Sequence, residues 1–274
     1  MLRNTFCHIP GIGERSERSL WSRGILCWDD VLNTDSNRLT KKRHQLLKSQ
    51  IQESIAHLQH NNPRHFTDSL PSSDYWRLLP DFRHSTAYLD IETTGLGGPG
   101  DYITTIALYD GTSIFCYVKG RNLDDFRVDI ARYKVIVTYN GKCFDMPFIE
   151  DDLGIKMNHA HIDLRYVLKS LGYTGGLKGC EKKLGLCRQE LEGIDGFFAV
   201  LLWKNFRAKK NEKALETLLA YNVTDTVNLE TLMFKAYNMK LKERPFLQTH
   251  QLTLPELPQN PFTPDMKTIR RIME

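Results

Sequence analysis

Short apolar runs with strand character fill the middle of the chain, and turn residues separate them. The runs assigned to strands are 87–91, 103–109, 113–118, 135–139 and a fifth run that contains Ile162 and Leu164. Asp110-Gly111, between the second and third runs, is typical of a tight hairpin. The spacing predicts one helix over 123–133 and mostly helices from 164 to about 240. Strands and helices in this order predict an α/β domain.

The two ends of the chain have other patterns. Residues 39–60 predict an amphipathic helix packed on the main domain, because their apolar side chains recur at helical spacing. Those side chains are Leu46, Leu47, Ile51, Ile55 and Leu58. Prolines interrupt the polar stretch 61–85 and recur after residue 244, which indicates a connector and an extended arm. We expect a helical N-terminal segment over 1–60, a connector over 61–85, an α/β domain over 86–240 and a proline-rich basic arm over 241–274.

Near the N-terminus, Ile9-Pro10-Gly11-Ile12-Gly13 precedes a run with apolar residues at helical spacing. Two glycines around an isoleucine favour a tight turn, which resembles the second half of a helix-hairpin-helix element. The backbone amides of such a turn can bind a DNA phosphate. An ordinary helix-capping turn explains the same residues equally well, and both interpretations stay open.

The composition is that of a globular protein, since 41% of the 274 residues are hydrophobic and 26% are charged. No stretch approaches the roughly 20 apolar residues of a membrane span, and the first residues lack a signal-peptide core. We therefore expect a soluble, cytoplasmic protein. Its six scattered cysteines predict reduced core thiols, and no four Cys and His residues have the spacing of a zinc finger.

The net charge of +4 permits a nucleic-acid partner without requiring one. Its distribution is uneven: residues 1–85 carry 12 basic and 9 acidic side chains, and residues 240–274 carry 6 and 4. The middle, residues 86–239, carries 19 and 20. The carboxylates of this middle segment therefore require an explanation.

Four of these carboxylates are placed where chemistry can occur. Asp90 and Glu92 are two residues apart at the end of a predicted strand, so their side chains point to one face. Asp145 follows the buried fourth strand, and Asp225 shares a helix face with Tyr221 four residues earlier. Converging carboxylates repel each other unless a cation offsets their charge. Mg²⁺ and Mn²⁺ prefer such hard oxygen ligands, and two such ions can flank a phosphodiester.

The order of these motifs resembles the DEDD superfamily of metal-dependent 3′–5′ exonucleases. The three motifs are Asp90-Ile91-Glu92-Thr93-Thr94-Gly95-Leu96, the segment from Tyr139 to Asp145, and Tyr221-x-x-x-Asp225. The middle motif is most similar to the proofreading domains of family B DNA polymerases. With the preceding Pro-Gly-Ile-Gly segment, the arrangement also resembles stand-alone bacterial exonuclease-like proteins of the YprB type. The resemblance covers about residues 86–239 and implies a ribonuclease H-like fold with a mixed five-stranded sheet flanked by helices.

The resemblance also implies roles for individual residues. Asp90, Glu92, Asp145 and Asp225 match the four acids that bind two divalent ions, Mg or Mn. Tyr221 matches the tyrosine that orients the attacking water in the DEDDy subgroup, and Ala220 stands where the other subgroup has a histidine. The residues that match substrate-binding positions are Thr93, Leu96 and, more loosely, Asn140.

Other residues have simpler interpretations. We expect Asp163 to order local structure rather than bind metal, and the Asp151-Asp152 pair to be a solvated helix face. Trp203 and Phe206 could stack on bases, but the apolar run before them favours core packing. Several basic residues could contact phosphate groups of a nucleic acid if their side chains line one groove. These are Lys142, Arg165, Lys169, Lys178, Lys182 and Lys183.

The sequence thus predicts a 3′–5′ exonuclease that hydrolyses the ends of single-stranded DNA or RNA to nucleoside monophosphates, by a two-metal mechanism. Two alternatives stay open, which are a nucleic-acid-binding module of the same fold that does not cleave and a structure-selective endonuclease. We expect 3′ ends of single strands as partners and no membrane.

Overall fold

A five-stranded mixed sheet forms the centre of the computed structural model, which describes residues 1–33, 39–186, 188, 191 and 193–274. The strands are β1 (Thr86–Thr93), β2 (Ile103–Tyr109), β3 (Ile114–Val118), β4 (Val135–Thr138) and β5 (Ala160–Asp163). Their order across the sheet is β3-β2-β1-β4-β5. β1 pairs antiparallel with β2 and parallel with β4, so the central strand joins the two halves of the sheet. The predicted α/β class and the mixed sheet are confirmed.

Helices precede the sheet in the chain, connect its strands and follow it. In chain order they are α1 (Glu14–Ser22), α2 (Trp28–Asn33), α3 (Lys41–Gln59), α4 (Arg64–Thr67), α5 (Leu79–Phe82), α6 (Phe126–Ile130), α7 (Asp145–Leu153), α8 (Leu164–Lys169), α9 (Gly176–Lys183), α10 (Gly196–Lys209), α11 (Glu212–Leu241), α12 (Leu247–His250) and α13 (Met266–Met273). Single 3-10 turns occur at Leu2–Asn4, Arg83–Ser85 and Leu123–Asp125, and a longer 3-10 helix covers Ser72–Leu78. With 30 residues, α11 is about 45 Å long and crosses β1 and β2.

Burial explains why the central strands read as continuous apolar runs. Every residue of β2 and β4 is buried, and β1 is buried except at Asp90. The Asp110-Gly111 turn joins β2 to β3 as predicted: the Asp110 carboxylate accepts from the amides of Thr112 and Ser113, and Gly111 adopts a φ of 90°. Leu164 lies in α8 rather than in the fifth strand, because the Asp163 side chain caps that helix.

The predicted amphipathic helix corresponds to α3, with one correction. Leu47 and Ile51 are fully buried, but Leu46 is 46% exposed and does not belong to the buried face. The Ile9 to Gly13 segment forms a turn that leads directly into α1, with Ile9 and Ile12 buried beneath it.

The stretch predicted as a polar connector is folded and packed. Residues 64–85 form short helical turns whose large side chains, including Phe66, Trp76 and Phe82, join the same hydrophobic core as one face of the sheet. The prolines of this stretch begin or flank turns instead of separating folded units. The domain boundaries at 60, 85 and 240 stay a prediction.

The proline-rich end of the chain runs back along α11. We call residues 251–265 the C-terminal strap. Asn238 on α11 exchanges two hydrogen bonds with the backbone of Leu252, at 2.7 and 2.9 Å. Further along, the Asn260 side chain donates to the carbonyl of Ala220 at 2.9 Å. The strap then leads into α13, whose Ile269 is 3% exposed, so the expected extended arm ends in a packed helix.

The structure bears on two expectations from the composition, the one about membrane spans and the one about the cysteines. Among the described residues, no helix combines the length and the apolar character that crossing a bilayer requires. Of the described cysteines, Cys180 is buried in the core and Cys7 and Cys116 are half-buried and pack against it, whereas Cys27 is half-buried and Cys143 is exposed, so the expectation of core thiols holds for three of the five. Cys187 lies outside the described residues.

Candidate active site

β1 places Asp90 and Glu92 on one face at its carboxyl end, as their spacing of two requires. The Asp90 carboxylate accepts a hydrogen bond of 2.7 Å from the Asn222 amide of α11. Asn222 in turn accepts from the Thr105 hydroxyl of β2 at 3.0 Å. These buried bonds hold the end of β1 at a defined position on α11.

α11 brings the third motif to the same place. Tyr221 and Asp225 are one helical turn apart and are 3% and 5% exposed. Carboxylate oxygens of Asp90, Glu92 and Asp225 all lie within 4.8 Å of one another. The structure therefore brings together acids from a strand and from a helix that are more than 130 residues apart in the chain.

Asp145 reaches the same cleft from a different element. It is the first residue of α7 and is 4% exposed, and it lines the cleft beside the other acids. Its carboxylate is outside the group of oxygens that lie within 4.8 Å of one another. Of the four predicted acids, three converge closely and Asp145 stands next to them.

Asp163 orders the loop that leads to Asp145. Its carboxylate accepts from the backbone amides of Asn140 at 2.8 Å, Lys142 at 3.1 Å and Arg165 at 3.0 Å. These bonds hold Asn140 at a φ of 67°. The expectation that Asp163 orders local structure is confirmed.

Gly141 is required at its position in this loop by close packing. A Cβ atom there would lie 2.2 Å from the Thr138 hydroxyl oxygen, which itself accepts from the Gly141 amide. The turn between β4 and α7 can therefore be this tight only without a side chain at Gly141.

Burial raises the pKa values of all four acids, and repulsion from neighbouring carboxylates adds to the effect. The pKa values of Asp90 and Glu92 lie well above their usual range because both carboxyls are buried and face Asp225. Burial raises the pKa of Asp145 to about 7. It also raises that of Asp225 to about 6, against the opposing effect of the Arg188 guanidinium. Such a group of acids gains from a cation that offsets its charge.

Two basic side chains border the acids. The Arg188 guanidinium pairs with the Asp225 carboxylate and with Glu181. The Lys178 ammonium lies 4.7 Å from the centre of the Tyr221 ring and donates to the carbonyl of Ile194. Lys178 was predicted as a possible phosphate contact, but the chain itself already engages its ammonium.

The acids lie in a cleft of about 1100 Å³ that residues of all three motifs line. Leu96, on the loop after β1, is 92% exposed at this cleft, and Phe197 at the start of α10 is 71% exposed. Two large apolar side chains thus face solvent at the mouth of the site. Thr93 also lines the cleft, but its hydroxyl donates to the carbonyl of Gly95 at 2.5 Å.

Sequence reasoning missed Phe197. The adjacent Phe198 is 6% exposed, and only the packing of α10 decides which of the two phenylalanines faces inward. Trp203 is buried and donates to the Tyr102 hydroxyl, which confirms the expectation of core packing. Phe206 packs beside it, half-buried.

The basic residues proposed for phosphate contacts divide into two groups. Arg165, Lys169 and Lys178 line the cleft, together with Lys204, which the sequence did not single out. Lys183 instead donates to the carbonyl of Thr174 at 2.8 Å. Lys142 is exposed, and its ammonium lies 6.0 Å from the ring centre of Tyr166. Lys182 is exposed on α9.

Asp152 was expected on a solvated helix face, and this expectation is wrong. Its carboxylate accepts from the amide of Ile103 at 3.0 Å and pairs with Lys119 at 3.5 Å, so it ties α7 to the start of β2. Asp151 is exposed, as expected for a solvated helix face.

The fold is similar to two solved structures at low identity. The family B DNA polymerase from the archaeon Pyrobaculum calidifontis is 18% identical with a TM-score of 0.44, and the match covers 61% of this chain and 27% of the polymerase. The Nibbler EXO domain of Aedes aegypti is 13% identical with a TM-score of 0.40, over 62% of this chain and 86% of that domain. No curated protein matches the chain in sequence.

A family model supplies the assignment. The RNase_H_2 model, which describes part of the RNase_H superfamily, matches residues 87–237. This segment contains all three motifs and the whole sheet except Thr86, the first residue of β1. The expected ribonuclease H-like fold is confirmed, and the chain belongs to the ribonuclease H superfamily.

Proposed function

We propose that this protein is a metal-dependent 3′–5′ exonuclease that removes nucleoside monophosphates from single-stranded DNA or RNA. One observation carries the proposal: Asp90, Glu92 and Asp225 converge within 4.8 Å in an open cleft, with Tyr221 on the same helix face as Asp225. A nuclease is the coarser conclusion that the fold family supports. The direction of cleavage and the two-metal mechanism belong to the proposal.

The donor set fits divalent cations. All candidate ligands are carboxylate oxygens, which suit Mg²⁺ and Mn²⁺, and the carboxylates of Asp90, Glu92 and Asp225 lie close enough together to share a cation. Asp90, Glu92, Asp145 and Asp225 would hold two such ions. When bound, the ions supply the Lewis acidity for attack of water on the phosphodiester and for departure of the leaving oxygen.

Tyr221 orients the attacking water in this proposal. Burial raises the pKa of its phenol far above the ordinary value, and the neighbouring Asp225 raises it further. The hydroxyl therefore keeps its proton at neutral pH and can hold a water by hydrogen bonding without taking its proton. Lys178 packs over the ring and restricts its movement.

The mouth of the cleft suits the unpaired end of a nucleic-acid strand. Leu96 and Phe197 offer apolar surfaces on which a terminal base can pack. Asn140 has its side-chain oxygen engaged by Arg165 at 2.5 Å, so its amide NH₂ group stays available as a donor to the terminal nucleotide. Thr93 contributes chiefly through its backbone, since its hydroxyl proton is bound within the loop.

The test is digestion of a 5′-labelled single strand with Mg²⁺, Mn²⁺ or chelator. We expect metal-dependent shortening from the 3′ end, and no cleavage by Asp90→Ala or Asp225→Ala. Asp151→Ala is the matched control, because Asp151 is an exposed acid that does not line the cleft, and it should cleave like the wild type. Full activity in either site variant would contradict the assignment.

Two further substrates distinguish the alternatives. A circular single strand offers no end, so cleavage of the circle would identify an endonuclease. Matched DNA and RNA strands establish the preferred sugar. A protein that retards these strands in a gel yet never shortens them with Mn²⁺ would be a binding module.

A further inference from the structure

Arg188 lies between two buried carboxylates beside the acid cluster. Its side chain is 7% exposed, its Nε donates to Glu181 at 2.5 Å, and its Nη1 pairs with an oxygen of Asp225. Its remaining nitrogen, Nη2, is buried. A guanidinium can serve two acceptors at once because its donors have a fixed, planar arrangement.

Glu181 is itself held in place. It is 1% exposed on α9, and its second carboxylate oxygen accepts from the Asn228 amide at 2.8 Å. Asn228 lies on α11 three residues after Asp225, on nearly the same helix face. Arg188 and Glu181 therefore bridge two side chains of α11, Asp225 and Asn228, and the backbone of α11 completes the circuit; we call these four residues the Arg188 ring.

The Arg188 ring determines how Asp225 can act. A carboxylate has two oxygens, so Asp225 can give one to Arg188 and direct the other toward Asp90 and Glu92. A residue that hydrogen-bonds to a metal-ligating side chain, on the side away from the metal, fixes the orientation of that side chain and influences the affinity for the metal. A positive charge at this point also offsets repulsion within the acid cluster.

We propose that Arg188 is a positioning residue that holds the Asp225 carboxylate in the orientation needed to bind a divalent cation, with Glu181 and Asn228 as its anchor. This inference rests on the proposed function. The alternative is that the Arg188 guanidinium competes with the metal ion for the Asp225 carboxylate. A competing side chain must move away when metal binds, whereas Arg188 is buried and tied to Glu181.

The test measures Mn²⁺ affinity of the full chain directly, by electron paramagnetic resonance of the free ion. In Arg188→Met the dissociation constant for Mn²⁺ should rise about 10- to 100-fold, the typical effect of removing a group that orients a metal ligand. Arg188→Lys should restore part of the affinity, because an ammonium can pair with Asp225 but cannot reach both carboxylates with fixed geometry.

Arg244→Met is the matched control. Arg244 is also buried, with a side chain 3% exposed, and pairs with Glu14 at 3.2 Å outside the cleft. This variant should lose stability in chelator while it keeps wild-type Mn²⁺ affinity. Circular dichroism in chelator checks that each variant is folded. Should Arg188→Met not fold, Glu181→Gln replaces it, with a several-fold weaker Mn²⁺ affinity expected.

The outcomes separate the two proposals. Unchanged or tighter Mn²⁺ binding by folded Arg188→Met would overturn the positioning role, and tighter binding would identify a competing cation. A wild-type protein that binds Mn²⁺ but does not shorten any strand would contradict the exonuclease function alone. Absence of Mn²⁺ binding by the wild type would overturn both.

Discussion

Replacing Glu17 should destabilise the N-terminal part of the protein strongly. This α1 side chain is fully buried and accepts hydrogen bonds from the backbone amides of Phe6 at 2.7 Å and Cys7 at 3.1 Å. Both of its oxygens also lie 2.9 Å from Nη1 of Arg77, whose side chain is fully buried as well. Glu17 therefore connects the first turn of the chain to the helical stretch before β1.

The size of the effect follows from the charge that is left behind. Breaking a buried ion pair by removing one partner costs about 3–5 kcal/mol, because the remaining charge is buried without compensation. Asp74 lies 3.5 Å from Arg77 and keeps part of that compensation, so we expect a cost for Glu17→Ala near the lower limit, about 3 kcal/mol. At about 2–4 °C per kcal/mol for a chain near this size, Tm should fall by about 6–12 °C.

The assay is thermal and urea unfolding at pH 7, with chelator present. The double variant Glu17→Met with Arg77→Met should lose less stability than Glu17→Ala, because the fully buried guanidinium is removed together with its fully buried partner and only Asp74, which is 13% exposed, loses an ion pair. Glu212→Gln is the control: its pair with Arg121 is as short, at 2.7 Å, but Glu212 is 66% exposed. This control should change stability by no more than about 0.5 kcal/mol.

Two results would refute this reasoning. One is a cost below about 1 kcal/mol for Glu17→Ala, which would mean that the pair is hydrated or unformed in solution. The other is a double variant whose cost exceeds that of Glu17→Ala, since the charge left unpaired would then not be the cause.

Tyr221→Phe should lower kcat about 100-fold with little change in KM, because only the water-orienting hydroxyl is lost; an unchanged kcat would exclude that role. Burial lowers the pKa of His8 to about 3, so the folded protein loses stability as the pH falls below 6.5, because the unfolded chain takes up a proton there that the folded His8 does not. Urea unfolding should therefore show that acidification from pH 7 to 5 costs His8→Phe about 2 kcal/mol less than the wild type. Gly141→Ala should reduce both Tm and nuclease activity, because the new Cβ collides with Thr138. In Gly13→Ala the new Cβ meets no neighbour, so wild-type nuclease activity is expected there with only a small loss of Tm from the poorer N-cap of α1, and equal effects of the two substitutions would contradict the packing argument.

The three motifs were predictable because each is local in the chain. A separation of two residues on a strand puts Asp90 and Glu92 on one face, and a separation of four on a helix does the same for Tyr221 and Asp225. The order of the elements then indicated which strand ends meet. The loop role of Asp163 is local only in part: Arg165 is two residues away, whereas Asn140 is 23 residues away and is brought near by the parallel pairing of β4 with β5.

The errors arose where packing partners are distant in sequence. Asp152 was taken for a solvated acid, yet it binds the amide of Ile103, 49 residues earlier. Prolines in residues 61–85 suggested a connector, and the domain boundaries there stay a prediction, but the structure shows that aromatic side chains of this stretch are buried in the core that covers one face of the sheet. Turn residues show where the chain changes direction, and they carry no information on whether the turns are packed.

The sequence by itself determined the α/β class and the five strands, because strand and helix periodicity act over a few residues, and the order of its motifs indicated the acids of the candidate site. Only the tertiary structure decided that Asp90, Glu92 and Asp225 converge while Asp145 stands beside them. It also revealed Phe197 at the mouth of the cleft and Arg188 behind Asp225. The physical reason is that burial and ion pairing depend on which surfaces meet in space, and contacts between α9, α11 and the sheet join residues that no local pattern connects.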